Sequence, residues 1–387
     1  MATRSTRKAR KPAAHTTRPD AARAPAPGSA PAPAGDWDSV ALGPLVGRWM
    51  LAGRDGRLTA YARTEGGLLR WTERTPGGPD WSGPELFPAP DLTDLAVGQG
   101  PDGYAHFVGR RRRRSPDGEG VTVTYHHAVQ YQTGRPLAPW QDLGTLYRRP
   151  EMSHRGGPPA VAVDARGAAH VFVRNAGRGI HVKYQDATGN WGDWEDLHGS
   201  KAFEGISAAS TGDGSVGLAA PGERGISLWT RSAPGSSMDR GEDLPFLAQD
   251  GSSVALETAP GRVTHFWHAA DGSGVFAHRE GAGTHALGGG PASGAVAATR
   301  AVVEGHDCTV LALRTVGGRT ALAAYPTEHE AAGLWWTEIG EEGLESPALA
   351  VDARGRVVVA SLSARGELLV NRQKDGAALS LGRWQRF

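Results

Sequence analysis

The sequence predicts an all-β fold, a seven-bladed β-propeller preceded by a disordered, basic, Ala/Pro-rich N-terminal tail. Three observations carry this expectation. A turn glycine recurs at Gly56, Gly103, Gly167, Gly214, Gly261, Gly305 and Gly355, at intervals of 47, 64, 47, 47, 44 and 50 residues. Two copies are almost identical, Pro159-Ala-Val-Ala-Val-Asp-Ala-Arg-Gly167 and Pro347-Ala-Leu-Ala-Val-Asp-Ala-Arg-Gly355, and lie 188 residues apart, four periods of 47. Each copy breaks into short runs of strand length separated by Gly, Asn and Asp. A period of about 40–50 residues built from strands marks a radial or stacked array of small sheets.

The elements follow repeat by repeat. In the third, Ala160–Val163 is an apolar strand, Asp164-Ala-Arg-Gly167 a turn, and Ala169–Arg174 a second strand. In the run 180–185, Ile180, Val182 and Tyr184 alternate with polar residues, the period of a half-buried strand. Trp191-Gly-Asp-Trp-Glu-Asp-Leu197 then supplies an outer segment. The same frame gives second strands at 58–63, 104–108, 216–220, 263–267, 309–313 and 357–361. Third strands follow at 68–71, 123–125, 226–229, 275–278, 320–325 and 368–371. Tryptophans close most repeats, at Trp81, Trp140, Trp336 and Trp384, whereas the fourth and fifth have lost theirs.

The ring is therefore expected over 36–387, with repeats near 44–90, 91–146, 157–200, 203–247, 250–290, 291–342 and 345–387. Residues 36–43 read as an orphan outer strand that closes the ring by mixing strands from both chain ends, which would remove a free sheet edge. The last residues, Leu381-Gly-Arg-Trp-Gln-Arg-Phe387, compete for that role.

Composition suits many short strands: 39% hydrophobic residues and 55 glycines, which supply positive φ at tight corners. The single cysteine, Cys308, rules out an intrachain disulfide and reads as a small core residue in an apolar strand. A net charge of +1 conceals an asymmetry. Residues 1–36 carry seven basic and two acidic side chains, and the remainder 35 basic and 39 acidic. The tail, residues 1–35, cannot bury enough apolar surface to offset its chain entropy. It has no apolar h-region, and no run of 18 apolar residues occurs anywhere. A cytoplasmic location is expected, with leaderless export left open.

Little catalytic chemistry is legible. No Asp-box (Ser-x-Asp-x-Gly-x-Thr-Trp) recurs at the turns, and the signatures of WD and kelch repeats are missing. His126-His127 and His265-Phe-Trp-His268 place their histidines on opposite faces of a strand, so neither pair chelates one ion. His106, His170 and His265 share a second-strand position and would form an axial site only by converging on the ring axis. No catalytic residue, metal or cofactor is assigned. The run Arg110, Arg111, Arg112, Arg113 and Arg114 reads as an inserted charged loop, able with the tail to hold a polyanion such as heparin or DNA, weakly and in a salt-dependent way.

The third repeat resembles the unit of the PLL-like seven-bladed β-propeller lectins, a tectonin-related group. The parts that carry the resemblance are Pro159-Ala160, Gly167, Val171-Phe-Val-Arg174, Lys183-Tyr184 and Trp191-Gly-Asp-Trp-Glu-Asp-Leu197. At the level of repeats it extends over 36–387. The resemblance implies non-catalytic sugar binding in shallow pockets between blades, with pyranose C–H groups against aromatic faces and polar side chains on the hydroxyls. The aromatic candidates are Trp49, Trp71, Tyr184, Trp229, Trp267 and Tyr325, with Arg70, Lys183 and His268 as polar neighbours. Two other readings stay open: a protein-interaction scaffold tethered by the tail, favoured by erosion of repeats four to six, and an enzyme with a site on the axis. The partner is accordingly a carbohydrate or a protein.

Overall fold

The structure, a computed structural model, describes residues 43–387 apart from 46, 90, 115–119, 148, 341, 343 and 377. The expected tail and nearly all of the expected closing strand lie outside these residues. Seven antiparallel sheets follow one another along the chain, each wound from an inner strand on the axis to an outer strand on the rim. They form a seven-bladed propeller. All seven repeat glycines have φ between 73° and 94°, a region that a side chain disfavours. The near-identical copies fold alike: Asp164 accepts the backbone N–H of Arg166 and Ala168, and Asp352 those of Arg354 and Arg356, at 2.9 and 3.0 Å in each case. A short acceptor at the turn thus fixes the first corner of both blades.

Second and third strands occur in every repeat where the alternation places them, for example Ala169–Arg174 with Ile180–Tyr184, and Val357–Leu362 with Leu368–Arg372. Blades 4 and 5 keep outer strands, Asp239–Arg240 and Gly283–Gly288, without a tryptophan. One expectation needs correction. The arginine run is not a loop: Ala105–Arg114 is one strand, and Arg110 to Arg114 pair in register with Tyr125 to Val121. Opposite Thr and Val residues extend the hairpin, and Arg110 is anchored by Asp94 at 2.6 Å and the Gly156 carbonyl at 2.7 Å.

Strands from the two chain ends do not mix among the described residues. Gln385–Arg386 is the outer strand of blade 7, and Gly43 pairs with Arg63 on the inner side of blade 1. Core packing joins the ends instead. Trp49, Met50 and Trp71 share one apolar cluster with Val358, Leu362 and Leu368, and the Phe387 ring lies 6.2 Å from that of Trp81. Burial of such side chains contributes about 1.5–3 kcal/mol each, which makes the seam a continuous core.

The rim tryptophans act as clamps. Trp194 of blade 3 donates its indole N–H to the Leu143 carbonyl of blade 2 at 3.3 Å, and Trp336 of blade 6 to Leu287 of blade 5 at 2.9 Å. Each indole lands where the preceding blade ends in Leu-Gly or its equivalent, but how closely it approaches the glycine differs from corner to corner. At Gly340 an added Cβ would lie 2.3 Å from the Trp384 Nε1, whereas at Gly144 nothing comes within 4 Å. Both glycines have similar positive φ, 83° and 76°. Gly340→Ala is therefore expected to cost about 2 kcal/mol more than Gly144→Ala, read from denaturant midpoints. Equal effects would show that the clamp does not depend on close approach.

Candidate functional site

Five of the six aromatic candidates are sealed in the core. Trp49, Trp71, Trp229, Trp267 and Tyr325 are at most 2% exposed. Trp229 hydrogen-bonds the Leu197 carbonyl of the preceding blade at 3.2 Å, and Trp267 stacks on Phe276. A sugar cannot reach these faces, so their assignment as ligand-stacking residues is corrected. Arg70 is equally buried, bonded to Glu85 and lying over the Phe87 ring. His268 is also enclosed, with no partner for either ring nitrogen among the described residues, and burial pushes its pKa down to about 4. Lys183 packs over the Trp194 ring at 5.6 Å. Tyr184 alone keeps a half-exposed ring.

The surroundings of Tyr184 are chemically distinct. Its hydroxyl donates to the Glu195 carboxylate at 2.6 Å, a charge-assisted contact that holds the ring upright. The His170 imidazole stacks on one side, with centroids 5.9 Å apart. From blade 4 the Arg231 guanidinium lies 5.1 Å from the Tyr184 centroid and 3.2 Å from His170 Nδ1. A guanidinium only donates, so His170 accepts at Nδ1 and gives its Nε2–H to Asp164 at 3.4 Å. Burial, the largest cause, holds His170 below its ordinary pKa and keeps it neutral, as this tautomer requires. Aromatic face, guanidinium and carboxylate therefore meet at the boundary of blades 3 and 4.

Arg231 owes its place to a departure from the repeat. Glu73, Gln185 and Gln373 end the third strands of blades 1, 3 and 7, and each accepts the N–H that opens the second strand, at 2.8–3.1 Å. Blade 4 has Arg231 there, opposite Val216. Arginine cannot accept, so it turns to the neighbouring blade. Aligning the repeats at the third-strand end would have exposed this exception. Glu195 offers no comparable signal.

Other blade boundaries are closed by internal pairs. His106 Nδ1 and His127 Nε2 are 3.1 Å apart between blade 2 strands, with Trp191 of blade 3 over His127. Arg279 meets Glu330 across blades 5 and 6 at 3.0 Å, and Arg372 meets Glu73 across blades 7 and 1 at 2.5 Å. His106, His170 and His265 are buried within their second strands and do not line the axis, so the axial convergence considered from sequence is corrected. Inner-strand residues, chiefly Ala, Val, Gly and Ser, line it instead. Among the described residues no group of three or more His, Cys, Asp or Glu side chains could hold a metal ion. No helix is long and apolar enough to cross a membrane.

No protein-family model and no curated protein matches the chain. Solved structures do. The BP39L lectin from Burkholderia pseudomallei is similar with a TM-score of 0.61 at 13% identity, over 90% of this chain and 97% of that one. The Hadza microbial sialidase Hz136 is similar with a TM-score of 0.50 at 13% identity, over 83% of this chain and 74% of that one. One is a lectin by name and the other an enzyme, so what they share with this chain is architecture: it is an all-β, seven-bladed propeller with the fold of a propeller lectin.

Proposed function

We propose that the protein is a non-catalytic, PLL-like carbohydrate-binding propeller, and that its sugar site is the boundary of blades 3 and 4. The observation that carries the reading is the triad of Tyr184, Glu195 and Arg231. It joins an accessible aromatic face, which pyranose C–H groups pack against, to the exposed Glu195 carboxylate that accepts from hydroxyls, while the buried Arg231 guanidinium backs the ring and positions it. The propeller lectin fold and the match of the third repeat to the lectin unit support it. The sialidase neighbour does not carry catalysis over, since the sequence lacks a recurring Asp-box.

A glycan array probed with the full chain tests this. Binding is expected, and Glu195→Ala and Tyr184→Ala should each weaken it by roughly tenfold or more. Binding unchanged in both variants would remove the site, and a blank array on folded protein would remove the function. A scaffold reading has one observation behind it: Trp335, 91% exposed on blade 6, is the kind of anchor that protein interfaces use. The basic tail and exposed Arg112 to Arg114 remain the proposed polyanion contacts, whose heparin affinity should fall with salt.

A further inference from the structure

Three carboxylates at the boundary of blades 3 and 4 each hold an arginine. Glu204 meets Arg174 at 2.7 Å and Glu223 meets Arg178 at 2.5 Å, both across the boundary. Asp243 of blade 4 takes the Arg240 guanidinium at 2.9 Å. Deeper in, Asp164 is shared by His170 at 3.4 Å and Arg166 at 3.9 Å, and its charge supports Arg231. Glu195 is the exception. It is exposed and forms no ion pair with any described residue. Its Oε1 accepts from the neutral Tyr184 hydroxyl, and the other carboxylate oxygen has no partner among the described residues.

The cations near Glu195 are engaged elsewhere. Arg231 is buried behind the Tyr184 ring and bonded to His170, and Arg240 lies over the Trp229 ring with Asp243. Lys183 alternates with Tyr184 along the strand, so it faces the other way, over Trp194. Exposed Asp193 and Asp196 flank Glu195 in sequence and add charge of its own sign. A ligand seated on Tyr184 strips water from the Glu195 carboxylate, and a cationic donor compensates that loss best. Hydrogen bonds between charged groups are roughly twice as strong as neutral ones. A second anion beside Glu195 would instead meet repulsion.

We propose that the sugar taken at this boundary is a hexosamine with a free amine, its ammonium on the Glu195 carboxylate and its ring on Tyr184. The inference rests on the sugar reading of the boundary and narrows it to one class. The 2.6 Å contact between Tyr184 and Glu195 sets the carboxylate at the edge of the aromatic ring. A substituent on the stacked pyranose therefore reaches the carboxylate while the ring C–H groups pack on the face. Those C–H groups gain positive character beside an ammonium, which strengthens their contact with the negative face of the ring. Acetylation of the amine removes the charge, and a uronate reverses its sign.

Isothermal titration of the full chain tests the proposal, at about pH 6.5, where a sugar amine is protonated. The probes are glucosamine and galactosamine, their N-acetyl forms, and glucuronate and galacturonate. One of the two amines should bind roughly tenfold more tightly than its N-acetyl form, and the uronates more weakly still. Added salt should shrink that preference. Glu195→Gln keeps an acceptor for the Tyr184 hydroxyl and removes the charge. It should therefore weaken the amine roughly tenfold more than it weakens the N-acetyl form. Amine and N-acetyl forms that bind equally, a uronate that binds tightest, or a preference that survives Glu195→Gln overturns the inference. If neutral sugars still bind and lose affinity in Tyr184→Ala, the sugar reading stands without it. No binding in any arm, together with a blank glycan array, overturns both.

Discussion

Arg372→Ala is expected to destabilise the ring by about 3–5 kcal/mol, the usual consequence of removing one partner of a buried ion pair. The Glu73 carboxylate is fully buried and accepts the N–H groups of Leu58 at 2.8 Å and Gly77 at 3.3 Å, besides Arg372 Nη2 at 2.5 Å. It sits at the junction of the first and last repeats, where closure must be secured. Burial already pushes its pKa up and that of Arg372 down, so each group is tolerated only through the other. Without the guanidinium, Glu73 is either charged and uncompensated or protonated, with one acceptor lost. Gln185 and Gln373 cap the equivalent strands of blades 3 and 7 as neutral groups. The double variant Glu73→Gln/Arg372→Met should therefore recover most of the loss. Denaturant midpoints decide the matter. A cost below about 1 kcal/mol for Arg372→Ala would match a solvent-screened pair and place closure in the apolar core alone.

Sequence periodicity reveals what is decided within a few residues. The turn glycines and the Asp164 and Asp352 acceptors depend on local backbone geometry, so seven blades could be counted without a structure. What lay beyond reach depends on the neighbouring blade. Alternation says that Trp229 shares a face with Ser227 and Arg231, but not that the Leu197–Gly199 corner of the preceding blade covers that face. Hence most aromatic candidates are packing residues, and only Tyr184 keeps an open face. Five consecutive arginines looked too charged for a strand. Arg112 to Arg114 are exposed although the facing Val123 is buried, so the charges stay in water and the pattern carries no penalty. Arg231 stands out only once the third-strand ends are aligned, and Glu195 acts through a contact with Tyr184 that no spacing rule encodes.

The second large expected effect is acid sensitivity. Burial lowers the pKa of several histidines, four of them furthest: His106 and His268 to about 4, His127 and His265 to about 3. Mutual repulsion lowers His127 further beside His106, and His265 beside His278. In the unfolded chain each would titrate near 6.5. Between that value and its folded pKa, the unfolded state binds a proton that the folded state does not. Stability is therefore complete above pH 6.5 and falls as pH drops toward 4, by up to about 1.4 kcal/mol per unit for each histidine. Glu73, whose pKa is raised, works in the opposite sense, and Asp164, whose pKa is lowered, adds acid sensitivity only around and below the ordinary carboxylate range. The window from 6.5 to 4.5 thus belongs chiefly to the histidines. Melting temperatures across pH 7.5–4.5 should fall steeply there, by several kcal/mol in total. His265→Gln should flatten the slope whatever it does to stability at neutral pH, because the slope counts protons and not contacts. A melting temperature independent of pH over this window would mean that the buried imidazoles are protonated in place.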